Sequence, residues 1–186
     1  MTIYIGARDL NGMPVGTHQF LLITTDKVIP VKIDGKLITP KVLGKEIKGY
    51  VIGAQNRNRR LQVEFFERSD FIAVKEYFGG IEKSFFQSDF DAELKEVSFS
   101  NSELLSQVRL FQLINAFTIN QSLDPIKYPS AGFGFNSNSW AGSMIKHSGG
   151  VVDTDFSGLD IFHDRLIPIT YFLPICPSAS RPVLNK

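Results

Sequence analysis

A chain of 186 residues with 43% hydrophobic composition can bury one substantial core, so one domain is expected. Net charge is +1, yet residues 1–60 hold 10 Lys/Arg against 4 Asp/Glu and residues 61–126 hold 5 against 11; such halves are complementary solvated faces, or they steer a charged partner. No window approaches the roughly 20 apolar residues of a membrane span, and the single Cys excludes an internal disulfide framework and a zinc cluster. The basic residues are spread thinly without interleaved aromatics, which argues against nucleic-acid binding.

The N-terminal "MTIYIGARDLNG" lacks a basic-then-apolar signal pattern. The single Cys suits a reducing cytoplasm, and export by a machine that ignores Sec signals leaves the same trace. After a turn-like "DLNGMPVG", the run "THQFLLIT" (17–24) reads as a buried strand. "VIPVKIDGKLITP" alternates around Asp34-Gly35, a hairpin signal. "GYVIGAQ" (49–55) and "LQVEFFE" (61–67) flank a polar turn and form a second hairpin. "SDFIAVKEYFGG" offers a Ser or Asp cap, helical spacing at Phe71, Val74 and Phe78, and a Gly stop. The segment 100–121 is the clearest helix, with Leu104, Val108, Phe111, Ile114 and Phe117 as its apolar stripe. In "GFGFNSNSWAGSMIKHSGG" (132–150), Asn and Ser open a short helix that Lys146, His147 and glycine close. "LDIFHDRLIPITYFLPICP" holds two apolar runs broken by Pro168 and Pro174, an edge strand and loop. Strands, then helices, then a closing strand make the class α+β.

Chemistry-bearing residues are few. His163 and Asp164 are adjacent, and neighbours on a strand point to opposite faces, so they are no ligand pair. His147 suits the negative end of a helix dipole. Three histidines without carboxylates at defined offsets give no metal site, and nothing implies a cofactor. Cys176 sits between prolines, with no helix start to lower its pKa. Ser137 stands apart. The loop "SAGFGF" brings backbone close to a substrate, and the following helix points free N–H groups at a developing oxyanion. A serine nucleophile requires a base, and His18 is the histidine on a likely central strand. The alternative is that Ser137 or Asn138 caps the helix and His18 is a satisfied core or edge residue.

Three segments together, "GTHQFLLIT", "GYVIGAQNRNRRLQVEFFERSD" and "YPSAGFGFNSNSWAGSMIKHSG", resemble the circularly permuted papain-like superfamily, which includes relatives of lecithin retinol acyltransferase and NlpC-type cell-wall peptidases. The resemblance spans roughly residues 16–170. It implies a permuted papain-like fold over residues 1–186, an antiparallel sheet packed by helices: strand-rich at 1–68, helix-rich at 69–150, with a closing strand and tail at 151–186. His18 takes the position of the base and Ser137 that of the nucleophile, where active relatives carry Cys. Asn136, Asn138 and Trp140 fall on the substrate side of the turn. Gln55 and Glu64 are both candidates to orient His18. A bacterial, toxin-like subset has Asn-Ser-Asn-Ser/Thr-aromatic at this turn. The activity implied is hydrolysis of an amide in peptidoglycan or a related acyl substrate by an effector. Such a chain is made in a bacterial cytoplasm, delivered by type six secretion into a target cell or periplasm, and met by a secretion-machine component or an immunity protein. The alternative is a non-catalytic interaction protein on a degenerate papain-like scaffold, binding a host or envelope partner.

Overall fold

Apolar residues build the first two strands, β1 (Ile3–Asp9) and β2 (Thr17–Thr25), the second as a continuous run buried on both faces, and they pair antiparallel with Arg8 opposite His18. A computed structural model of the chain describes residues 1–10, 16–81, 92–100, 102–129, 134–153, 155–157 and 165–174. The Asp34-Gly35 hairpin forms as β3 (Val31–Ile33) and β4 (Lys36–Ile38), with both turn residues at positive φ. β5 (Lys41–Val42) is short. The second hairpin is β6 (Lys48–Arg57) with β7 (Arg60–Phe65). There follow α1 (Arg68–Tyr77), β8 (Ala92–Glu96), β9 (Ser98–Phe99), α2 (Glu103–Leu123), α3 (Ser137–Ser148) and β10 (Gly150–Val151). One six-stranded sheet runs β5-β6-β2-β1-β8, with β7 also on β6, and its pairings are antiparallel. The class is α+β.

Strand parity splits the core into two layers. Odd residues of β1 and β2 (Ile3, Ile5, Ala7, Leu21, Ile23) join Tyr50, Ile52 and Ala54 of β6 against α2 and α3, where Leu113, Ile114, Phe117, Trp140 and Met144 pack. Even residues Phe20 and Leu22, with Val51, face the opposite way, onto Val74 of α1. The sheet is thus a middle layer between α1 on one face and α2 with α3 on the other.

Several expectations from sequence are corrected. The strand "IYIGARD" precedes the one taken as first, so His18 lies on a strand flanked on both sides, by β1 and β6. The N-cap of α1 is Glu67 rather than Ser69 or Asp70: its carboxylate accepts from the N–H groups of Ser69 and Asp70. On α2 the apolar stripe is rotated. Leu110, Leu113, Ile114 and Phe117 are buried, while Leu104 and Val108 are 69% and 49% exposed. The helix is apolar on more than one side, and spacing alone did not choose the side the sheet covers. The region 69–150 also contains β8, which extends the main sheet, and β9, which pairs with β10 in a separate two-stranded sheet. Residues 165–174 make no strand but a 3-10 turn at Ile169–Phe172, introduced by Pro168. Among the described residues, no helix is long and apolar enough to cross a membrane.

Candidate functional site

His18, on the α1 face of β2, meets a buried carboxylate that sequence reading missed. Its Nε2 lies 3.2 Å from Asp70 Oδ2 and 3.0 Å from Gln55 Nε2, and Gln55 Nε2 donates to the same Asp70 oxygen at 2.8 Å. Arg8 Nε donates to Asp70 Oδ1 at 2.7 Å. Asp70 is fully buried, and Arg8, His18 and Gln55 are each less than a tenth exposed. Burial pushes the Asp70 carboxyl up, but the charge and hydrogen bonds of His18 and Arg8 outweigh it and hold it below its ordinary value. Nε2 carries either a proton or a lone pair, so it satisfies only one neighbour. A charged Asp70 favours the proton, and Gln55 then serves Asp70. Among the described residues, Nδ1 of His18 has no hydrogen-bond partner.

Local structure makes this network possible. Glu67 caps α1 and lies 3.8 Å from Arg8 Nη2, which places Asp70 in the first turn over the sheet. Gly53 of β6 supplies the room. A Cβ there would stand 2.6 Å from Asp70 Oδ2 and 3.2 Å from His18 Nε2.

The Asn-Ser run opens α3, and its four polar side chains make different contacts. Asn136, in extended backbone, is the cap: its Oδ1 accepts from Ser139 N at 3.0 Å. The cap is therefore neither Ser137 nor Asn138. Ser137 begins the helix, and its hydroxyl donates to Asn138 Oδ1 at 3.2 Å. The same Asn138 oxygen accepts from the Gln19 backbone N–H at 3.0 Å, pinning α3 to β2 beyond the last β2–β6 pair, Phe20 with Gly53. Ser139 Oγ reaches Gly134 O and Asn136 Oδ1. Gly149 closes the helix in left-handed backbone at φ 85°.

Different partners hold the two expected catalytic residues. His18 projects with Phe20 toward α1, whereas Ser137 begins a helix packed on the other face. No hydrogen bond joins them. Gln55 does lie against His18, as one of the two orienting candidates. Glu64 does not: it forms a bidentate pair with Arg57 at 2.7 Å, partly in solvent. Trp140 is wholly buried, edge-on to Phe117 at 6.4 Å, so it anchors α3 in the core and lines no open cleft. Asn136 and Asn138 are likewise buried and bonded within the chain. His147 Nε2 meets Ile167 O at 2.9 Å, a structural contact at the helix end. His163, Asp164 and Cys176 lie outside the described residues.

Asp70 and Arg8 were legible only as polar residues in predicted or unassigned elements. The available signal was Gly53, two positions before Gln55 inside a strand, which marks a close approach. Among the described residues, no three His, Cys, Asp or Glu side chains converge as metal ligands. A groove runs along α2, lined by Leu105, Val108, Ile119 and Leu123, and includes neither His18 nor Ser137. Among the described residues, both ends of the Gln19 amide and Thr17 Oγ1 are buried without a hydrogen-bond partner; leaving such a group unsatisfied costs about 1–3 kcal/mol. Compared with known proteins, the chain matches no family model, no curated protein and no solved structure.

Proposed function

We propose that the chain is a non-catalytic binding protein on a permuted papain-like scaffold, taking a partner of the bacterial envelope or a host. Delivery by a contractile injection machine belongs to the same reading. One observation carries it. The base and the nucleophile that hydrolysis requires are held by different partners, His18 by Asp70 and Gln55, Ser137 by Asn138. A serine hydroxyl without a base in reach is a poor nucleophile. What remains is an internally bonded helix start on an antiparallel sheet.

The hydrolase reading keeps one specific support. A carboxylate-bound imidazole with its second nitrogen unpartnered is the arrangement of an oriented general base. One experiment separates the two readings. Purified chain, with Ser137→Cys and His18→Ala variants, is incubated with peptidoglycan fragments, and released peptides are read by mass spectrometry. The binding reading expects no release from wild type or from Ser137→Cys. Release that His18→Ala abolishes would establish the hydrolase instead.

A further inference from the structure

Orphaned polar groups gather where β2 meets the start of α3. Gln19 is 0% exposed, yet among the described residues neither Nε2 nor Oε1 of its amide has a hydrogen-bond partner. Thr17, two residues earlier, is buried, and its hydroxyl too has no partner among the described residues. Both occupy odd positions of β2, the face against which α3 packs, and the Gln19 backbone N–H is bonded to Asn138 in the first turn of α3. The side chain of Gln19 is therefore on the side of the sheet that carries α3, beside its first turn.

The helix adds donors of its own. Ser139 N and Trp140 N are taken by Asn136. The N–H groups of Ser137 and Asn138 have no acceptor among the described residues, although both residues are nearly fully buried. Unused N–H groups at a helix start carry the positive end of its dipole. α3 has 12 residues and no acidic residue in its first turn. Asp9, opposite Thr17 in the register, is exposed, so solvent screens it. Donors outnumber acceptors, and the local field favours negative charge.

We propose that the start of α3, with Gln19 and Thr17, binds a carboxylate group. One oxygen takes the N–H groups of Ser137 and Asn138, and the other takes the Gln19 amide, with Thr17 beside it. This names the ligand class of the binding reading and rests on it in that the group is held rather than cleaved. The same chemistry is offered by a free small acid and by the C-terminus of a peptide.

The test uses the ¹⁵N-labelled full chain, titrated with acetate, with N-acetyl-Ala-Ala, and with the C-terminal amide of that dipeptide. A carboxylate site gives saturable shifts of the Ser137 and Asn138 amides and of the Gln19 side chain. Saturation by acetate alone assigns a small acid; saturation by the free dipeptide as well assigns a peptide terminus. Gln19→Leu should weaken binding at least tenfold while leaving distant resonances in place. Thr17→Val, which keeps the side-chain shape, should weaken it less and serves if Gln19→Leu misfolds. No saturable shift with either acid means that the cluster holds water only and overturns the proposal. Equal binding of the dipeptide amide overturns the carboxylate assignment, and unchanged binding by Gln19→Leu overturns the location. Peptide release in the hydrolysis assay would end the non-catalytic reading and leave this site standing, so the two failures are distinguishable.

Discussion

Replacing Gly53 with alanine puts one methyl group into the buried charge network without touching any charged residue. The new Cβ would stand 2.6 Å from Asp70 Oδ2, 3.1 Å from Gln55 Nε2 and 3.2 Å from His18 Nε2. A carbon–oxygen contact that close must open by roughly 0.6 Å or more to reach ordinary separation. Asp70 cannot swing freely, because its other oxygen is tied to Arg8 at 2.7 Å. The retreat therefore stretches the 2.8 Å bond from Gln55 and the 3.2 Å contact with His18 together. Overpacking of this kind costs about 1–3 kcal/mol, and complete loss of a buried ionic partner about 3–5 kcal/mol. Alanine returns about 0.5–1 kcal/mol of backbone entropy relative to glycine in a strand. The expected net loss is about 2 kcal/mol, a fall in Tm of roughly 4–8 °C for a chain of this length. Thermal unfolding followed by circular dichroism measures it. The sharper form is a double-mutant cycle: in an Asp70→Ala background the methyl meets vacated space, and Gly53→Ala should become neutral or stabilising. An unchanged or raised Tm in the wild-type background, or an equal loss in both, would refute the close packing of Asp70 over Gly53.

Acid stability should depend on Asp70. Its folded carboxyl is held below the ordinary value of 3.8, so the unfolded chain protonates first as pH falls. The network's contribution is present above about pH 4 and is lost as pH falls through the lower folded value. Asp70→Asn should lower stability at neutral pH and flatten its decline below about pH 4, read by urea unfolding across pH; an acid limb identical to wild type would contradict this. At α3, Asn136→Ala should cost about 0.5–2 kcal/mol through the lost cap. Ser137→Ala gives up only a hydroxyl contact with Asn138 and should cost less. The reverse order in denaturant titrations would mean that the cap is misassigned.

Sequence alone determined the locally encoded parts of this protein. The Asp34-Gly35 hairpin, the β6–β7 hairpin and both ends of α3 follow from turn and cap chemistry acting within a few residues. Gln55 was also a candidate neighbour of His18, because it lies on a predicted strand that could pair beside the first. Glu64 was equally plausible on that ground, and only its contact with Arg57 removed it.

Tertiary structure decided what sequence order cannot carry. β1 pairs with β2 nearby but also with β8, more than 80 residues later, and that pairing makes Arg8 an interior residue. Asp70 reads as a cap in "SDF" until Glu67 takes the cap and the sheet takes its carboxylate. The face on which His18 lies follows from a register of period two, in which a shift of one residue reverses every side chain. Nothing in "GTHQFLLIT" states which face α3 will cover. That choice was made by the apolar residues of α2 and α3 packing on Leu21 and Ile23, which left His18 with Phe20 on the side of α1.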